Sequence, residues 1–73
     1  MNIGDVMKNG ATVVDVDTST GGTDRGIVLA TWQRNAQPEF ITWWVNKEGD
    51  AHWGHYFNTQ LEAREDFDTR RRG

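Results

Sequence analysis

Between Glu39 and Phe57 two aromatic-rich runs flank Asn46-Lys47-Glu48-Gly49-Asp50, and no other segment constrains the fold as tightly. Lys47-Glu48 suits the centre of a type I turn, and Gly49 suits the left-handed residue of the bulge that commonly follows it. This geometry sets Asn46 opposite Asp50, and the register of the hairpin follows. It predicts Val45 opposite Ala51, Trp44 opposite His52, Trp43 opposite Trp53, Ile41 opposite His55 and Phe40 opposite Tyr56. Strand side chains alternate between faces, so a one-residue slip would reverse every assignment. The expected core face is Ile41, Trp43, Val45, Trp53 and Phe57, the more continuous apolar set. Phe40, Trp44, His52 and Tyr56 then form a second face, expected to be partly exposed.

The rest of the chain supplies partners for this hairpin. Ile3 to Gly10 reads as a short extended piece ending in an Asn-Gly turn. Ala11 to Asp17, rich in β-branched residues, reads as a strand with Val14 and Val16 on one face and Asp15 and Asp17 on the other. Ser19-Thr20-Gly21-Gly22-Thr23-Asp24 has the composition of a flexible hairpin loop. Gly26 to Trp32 follows as a strand whose run Ile27-Val28-Leu29-Ala30 is apolar enough for a central position covered on both sides. Gln33 to Pro38 reads as a connection, with the chain's one proline at its end. After the hairpin, Thr59 and Glu62 make a capping box for a helix from Gln60 to about Arg71. Its acids (Glu62, Glu65, Asp66) come early and Arg70, Arg71 and Arg72 come last, as the helix dipole favours. Leu61, Ala63, Arg64 and Phe67 give it only a sparse apolar side, so it depends on the sheet for stability.

The order strand, strand, strand, strand, helix predicts an α+β fold. The arrangement expected is an antiparallel meander of three to four strands with the C-terminal helix packed on one face. A small barrel-like sheet closed at one end by the helix is the alternative. With 73 residues the chain has room for one domain, 1–73, with a thin core. There is no cysteine, so disulfides and thiolate metal sites are excluded. Met1 to Gly10 lacks the basic cap and apolar run of a signal peptide, and no stretch has the length of a membrane span. The expectation is a cytoplasmic protein without membrane contact.

Catalytic constellations are thin. Asp50, His52 and His55 are close in sequence, but residues three apart on a strand point to opposite faces, so the histidines converge only if Gly54 hosts a bulge. Cross-strand packing, with His52 beside Trp44 and His55 beside Ile41, is the plainer reading. Asp15 and Asp17 share a strand face without a third ligand, the pattern of a solvated face that discourages edge aggregation. Ser19 has no histidine and carboxylate behind it, and Gly21-Gly22 lacks the ending of a phosphate loop. No catalytic residue, metal or cofactor is assigned, and the chain is read as a non-enzyme. A net charge of −3 also disfavours nucleic acid, since Arg70-Arg71-Arg72 forms the single basic cluster.

The aromatics carry the functional reading. A single helix covers one sheet face, which leaves the other for the N-terminal segment, a homodimer or a different partner. Exposed aromatic patches mark binding surfaces. The candidate binding residues are therefore Phe40, Trp44, His52 and Tyr56, with Asp15 and Asp17 steering towards a basic partner.

Pro38-Glu39-Phe40-Ile41-Thr42-Trp43, then Trp53-Gly54-His55-Tyr56-Phe57, then Leu61-Glu62-Ala63 with Glu65-Asp66-Phe67, resemble small uncharacterised proteins encoded by bacteriophages and bacterial mobile elements. The resemblance covers roughly the C-terminal half and brings no catalytic residues. It implies a setting in a host cytoplasm where small inhibitors of host or defence proteins are common. The expected function is a non-enzymatic, phage-type accessory protein acting by protein–protein contact. The alternative is a single-stranded nucleic-acid-binding domain that uses aromatic stacking.

Overall fold

The computed structural model describes residues 2–18, 25–34 and 36–72. The expected Ser19–Asp24 loop lies outside them. Strands β1 (Thr12–Asp17), β2 (Arg25–Arg34), β3 (Gln37–Asn46) and β4 (Ala51–Phe57) precede one helix, α1 (Gln60–Arg71). The strands pair in chain order, β1-β2-β3-β4, every neighbour antiparallel, and α1 packs against the sheet. This is the α+β meander with a C-terminal helix. No described helix is long and apolar enough to cross a membrane.

The turn between β3 and β4 takes the form its sequence dictates. Asn46 and Asp50 pair, Gly49 donates to the Asn46 carbonyl at 2.9 Å, and Gly49 has φ +84°. The Asn46 side-chain oxygen accepts from the amides of Glu48 and Asp50. The β2–β3 connection is tighter than the sequence implied, because the strands run on to Arg34 and Gln37 and Pro38 pairs with Gln33 inside the ladder. β4 ends opposite Phe40, so only β2 flanks β3 at Pro38, and a residue without an N–H is tolerated there.

Both faces of the sheet are apolar, and each has its own cover. On one, Ile27 and Leu29 of β2 meet Ala63 and Phe67 of α1, with Val14, Phe40, Trp44 and Phe57 around them. Phe67 is fully buried, and the guanidinium carbons of Arg64 and Arg71 lie 5.5 and 5.4 Å from its ring centre. Leu61, expected on the apolar side of the helix, is 71% exposed. Thr59 caps the helix, accepting from the Glu62 amide at 3.3 Å while its hydroxyl donates to the Glu62 carboxylate at 3.0 Å. On the other face, Val28, Ala30, Ile41, Trp43 and Val45 are buried with Val13, Met7 and Ala11. The N-terminal segment pairs with the start of β1 through Gly4, Asp5 and Val6. Its Lys8 then reaches Asp50 in the β3–β4 turn at 2.9 Å. This segment is part of what covers the face that the helix leaves open.

Candidate functional site

The site grows out of a break in register. Near the turn the pairing is the one the sequence predicts, Val45 with Ala51 and Trp44 with His52. Beyond it, Thr42 pairs with His55, Ile41 with Tyr56 and Phe40 with Phe57. One residue of β3, Trp43, therefore opposes two of β4, Trp53 and Gly54, which defines a β-bulge. The expected pairs Trp43–Trp53, Ile41–His55 and Phe40–Tyr56 are corrected by this one inserted residue.

Trp53 takes the strain of the bulge. It is the one non-glycine among the described residues with positive φ, at +54°. A left-handed conformation costs a residue with a Cβ roughly 1–2 kcal/mol. Its carbonyl is held by Arg70 Nη2 at 2.7 Å, so the helix fixes the strained residue from the side. The indole points away from the core and is 74% exposed. Between it and β3 opens a cleft of about 330 Å³ lined by Trp44, Val45, Asn46, His52 and Trp53.

The predicted binding face divides between the two sides of the sheet. Phe40 and Trp44 pack with the α1 cluster, half-buried, and His52 follows Trp44 to that side. Tyr56 lies on the opposite side, 6.2 Å from the Trp43 ring and 6.4 Å from that of Trp32. It is 52% exposed, at the margin of an aromatic cluster whose centre, Trp43, is only 4% exposed. Trp53 and Phe57, expected in the core with Ile41 and Trp43, are the reverse case. Trp53 is at the surface, and Phe57 packs beside Phe40 under the helix.

Asp15 and Asp17 do not form an open acidic face. A register shift between Val13 and Asp15 turns Val14 towards the helix cluster, while Val16 packs on the opposite side. Asp15 then binds Arg64 at 2.6 Å and Asp17 binds Arg71 at 2.8 Å. Arg64 and Arg71 are seven residues apart, two helical turns, so one side of α1 presents both to β1. The bond from Arg64 holds the Asp15 carboxyl below its ordinary range against a smaller opposing effect of burial. Bound to the helix arginines, these carboxylates are poor steering charges.

The bulge does put His52 and His55 on the same side of the sheet, yet they engage different groups. His55 Nδ1 lies 2.9 Å from Asp66 Oδ2, which also accepts from the buried Thr42 hydroxyl and lies 3.3 Å from Arg70 Nε. Burial pushes the Asp66 carboxyl up, but the bonds from Thr42 and His55 outweigh it and the net shift is downward. Asp50 is paired with Lys8 instead. Among the described residues no group of three or more His, Asp or Glu side chains could hold a metal ion. The Thr42–Asp66–His55 set is not a nucleophilic triad either, since Thr42 is fully buried and bonds the carboxylate rather than the imidazole. Of the terminal arginines, Arg70 is wedged between Asp66 and the Trp53 carbonyl with its side chain only 9% exposed, and Arg71 binds Asp17 and Asp68.

Set against known protein families, curated proteins and solved structures, the chain matches none of them.

Proposed function

We propose that this chain is a small non-enzymatic binding domain that acts by contact with another protein, and that the partner docks at the Trp44/His52/Trp53 cleft. One observation carries the reading: Trp53 is held in a strained backbone conformation that keeps its indole in solvent beside a second tryptophan. Strain of this kind concentrates at functional positions, and tryptophan dominates interface hot spots. Burial of aromatic surface otherwise stabilises a small domain, so an indole kept outside is more useful to a partner than to the fold. The ion pairs that occupy Arg70 and Arg71 weigh against phosphate binding by these residues. Resemblance of the C-terminal half to small phage-encoded proteins supplies the setting we infer, an accessory protein in a host cytoplasm.

The test compares capture of host proteins by the wild-type domain and by Trp53→Ala. Trp53 contributes little to the core, so the variant is expected to keep the wild-type circular dichroism spectrum. It should lose its partner, with affinity at least about thirtyfold weaker, the size of a hot-spot loss of 2 kcal/mol. A folded Trp53→Ala domain that captures the same proteins as wild type refutes the site. Trp44→Ala is the less clean variant, because Trp44 also packs with the helix cluster.

A further inference from the structure

Arginines at the end of a helix act on its dipole from solvent, and Arg71 and Arg72 are exposed accordingly. Arg70, in the same turn, is the exception, with a side chain that is almost wholly buried. Two of its nitrogens have acceptors: Nε lies 3.3 Å from Asp66, and Nη2 bonds the Trp53 carbonyl at 2.7 Å. The third, Nη1, is buried without an acceptor among the described residues. A buried donor left in this state destabilises a fold, and a buried cation does so more. Burial pushes the Arg70 pKa down and the Asp66 charge only partly opposes it, so the guanidinium is under-neutralised where it sits.

Asp66 does not depend on this arginine. Burial raises the Asp66 carboxyl, the bonds from Thr42 and His55 bring it down, and the Arg70 charge contributes least. Without Arg70, Asp66 would still be tied to β3 through Thr42 and to β4 through His55. Ion pairs four residues apart on a helix add little in any case. An apolar side chain of similar length would leave no unmatched donor here, and such replacements of buried charges are often neutral or stabilising. The contact that would be lost is the one to Trp53, the residue with a φ of +54°.

We infer that Arg70 is a positioning residue for the docking site, retained although it destabilises the fold because it fixes the backbone that carries the Trp53 indole. This rests on the docking reading above and adds how that site is held. The partner meets the indole; Arg70 acts from the other side, through the Trp53 carbonyl. The last turn of α1 is thereby coupled to the cleft, and a change that draws Arg70 away from that carbonyl weakens docking. Without the bond the left-handed conformation keeps its strain and loses its support, so the population competent to dock falls about fivefold to thirtyfold.

The experiment compares Arg70→Met with the wild-type domain by three readouts. At positive φ the amide and α protons of a residue lie close together, so wild-type Trp53 should give a strong intraresidue NOE and the variant a weaker one. The urea midpoint should stay within about 0.5 M of wild type or rise. A protein captured by wild type and not by Trp53→Ala should bind Arg70→Met about fivefold to thirtyfold more weakly. A merely structural arginine gives the opposite pattern, a lower midpoint with the Trp53 NOE of the folded protein unchanged. A midpoint lower by more than about 0.5 M, failure to fold, or an unchanged NOE overturns the inference. Unchanged affinity in a variant whose Trp53 has relaxed overturns it too, since docking then needs the indole but not its conformation. If Trp53→Ala captures the same proteins as wild type, the docking reading fails instead, and the NOE and the midpoint alone decide whether Arg70 holds Trp53 against the stability of the fold.

Discussion

Alanine at Gly54 probes the link between the bulge and the opposite core. A Cβ at this position would lie 2.5 Å from Trp43 Nε1, 2.9 Å from its Cδ1 and 3.0 Å from Tyr56 Cε1. Ordinary carbon contacts sit near 3.5–4.0 Å, so the indole would have to retreat by roughly 1 Å. It has little room, because it is wedged edge-on against Trp32 at 5.5 Å and Tyr56 at 6.2 Å. Overpacking of this kind costs about 1–3 kcal/mol. Against that, alanine lowers the entropy of the unfolded chain and returns about 0.4–1 kcal/mol. The expected net loss is about 1–2 kcal/mol, out of a total stability of roughly 4–11 kcal/mol for a domain of this length. In urea, with a slope near 1 kcal/mol per M, the midpoint should fall by about 1–2 M. The near-ultraviolet dichroism of the tryptophan cluster should weaken as well. In a Trp43→Phe background the smaller ring removes the clash, so the alanine penalty should shrink by about 1 kcal/mol. A Gly54→Ala protein as stable as wild type, or one with the same penalty in both backgrounds, would show that the ring contact is not why glycine is needed.

Two further expectations concern the helix. Phe67→Ala should cost about 3–5 kcal/mol, a large share of the total, and leave a domain that melts near room temperature; a loss under about 1 kcal/mol by urea titration would contradict the packing. Acid should also unfold the protein through Asp15 and Asp66. The folded-state pKa of Asp15 is lowered chiefly by Arg64; at Asp66 burial opposes the shift, and the bonds from Thr42 and His55 prevail. Groups with depressed pKa values stabilise fully above the unfolded carboxylate range and lose that contribution as pH falls through the folded values. Urea midpoints should therefore be insensitive to these two groups above about pH 5 and fall below about pH 4, less steeply in Asp66→Asn. An equally steep fall in that variant would remove Asp66 from the explanation.

The elements themselves were legible in the sequence because each is announced locally. Asn46 and Gly49 specify the turn, Thr59 and Glu62 the cap, and the run from Ile27 to Ala30 a strand covered on both sides. Register could be counted outward from the turn only as far as Trp44 and His52. The count assumes that no residue is inserted, and the bulge at Trp53–Gly54 inserts one, so every assignment beyond it moved to the other face. Gly54 inside a strand was the visible sign. What it could not reveal is that glycine is needed there to let the Trp43 indole lie against the backbone. The pairs Asp15–Arg64 and Asp17–Arg71 join residues 49 and 54 apart and depend on how α1 lies across the sheet, which no local pattern encodes. Both features bear on the candidate site. One brought Trp53 out of the expected core, and the other took Asp15 and Asp17 away from any role in steering.

The helix that buries Ile27, Leu29, Phe40, Trp44 and Phe57 is the last of the described elements in chain order. A chain cut before Gln60 would keep all four strands but lose Ala63 and Phe67, which cover one side of the sheet. The other side would keep Met7 and Ala11 over it. The exposure would therefore be one-sided, and a contiguous apolar sheet face left open in this way is a site of self-association.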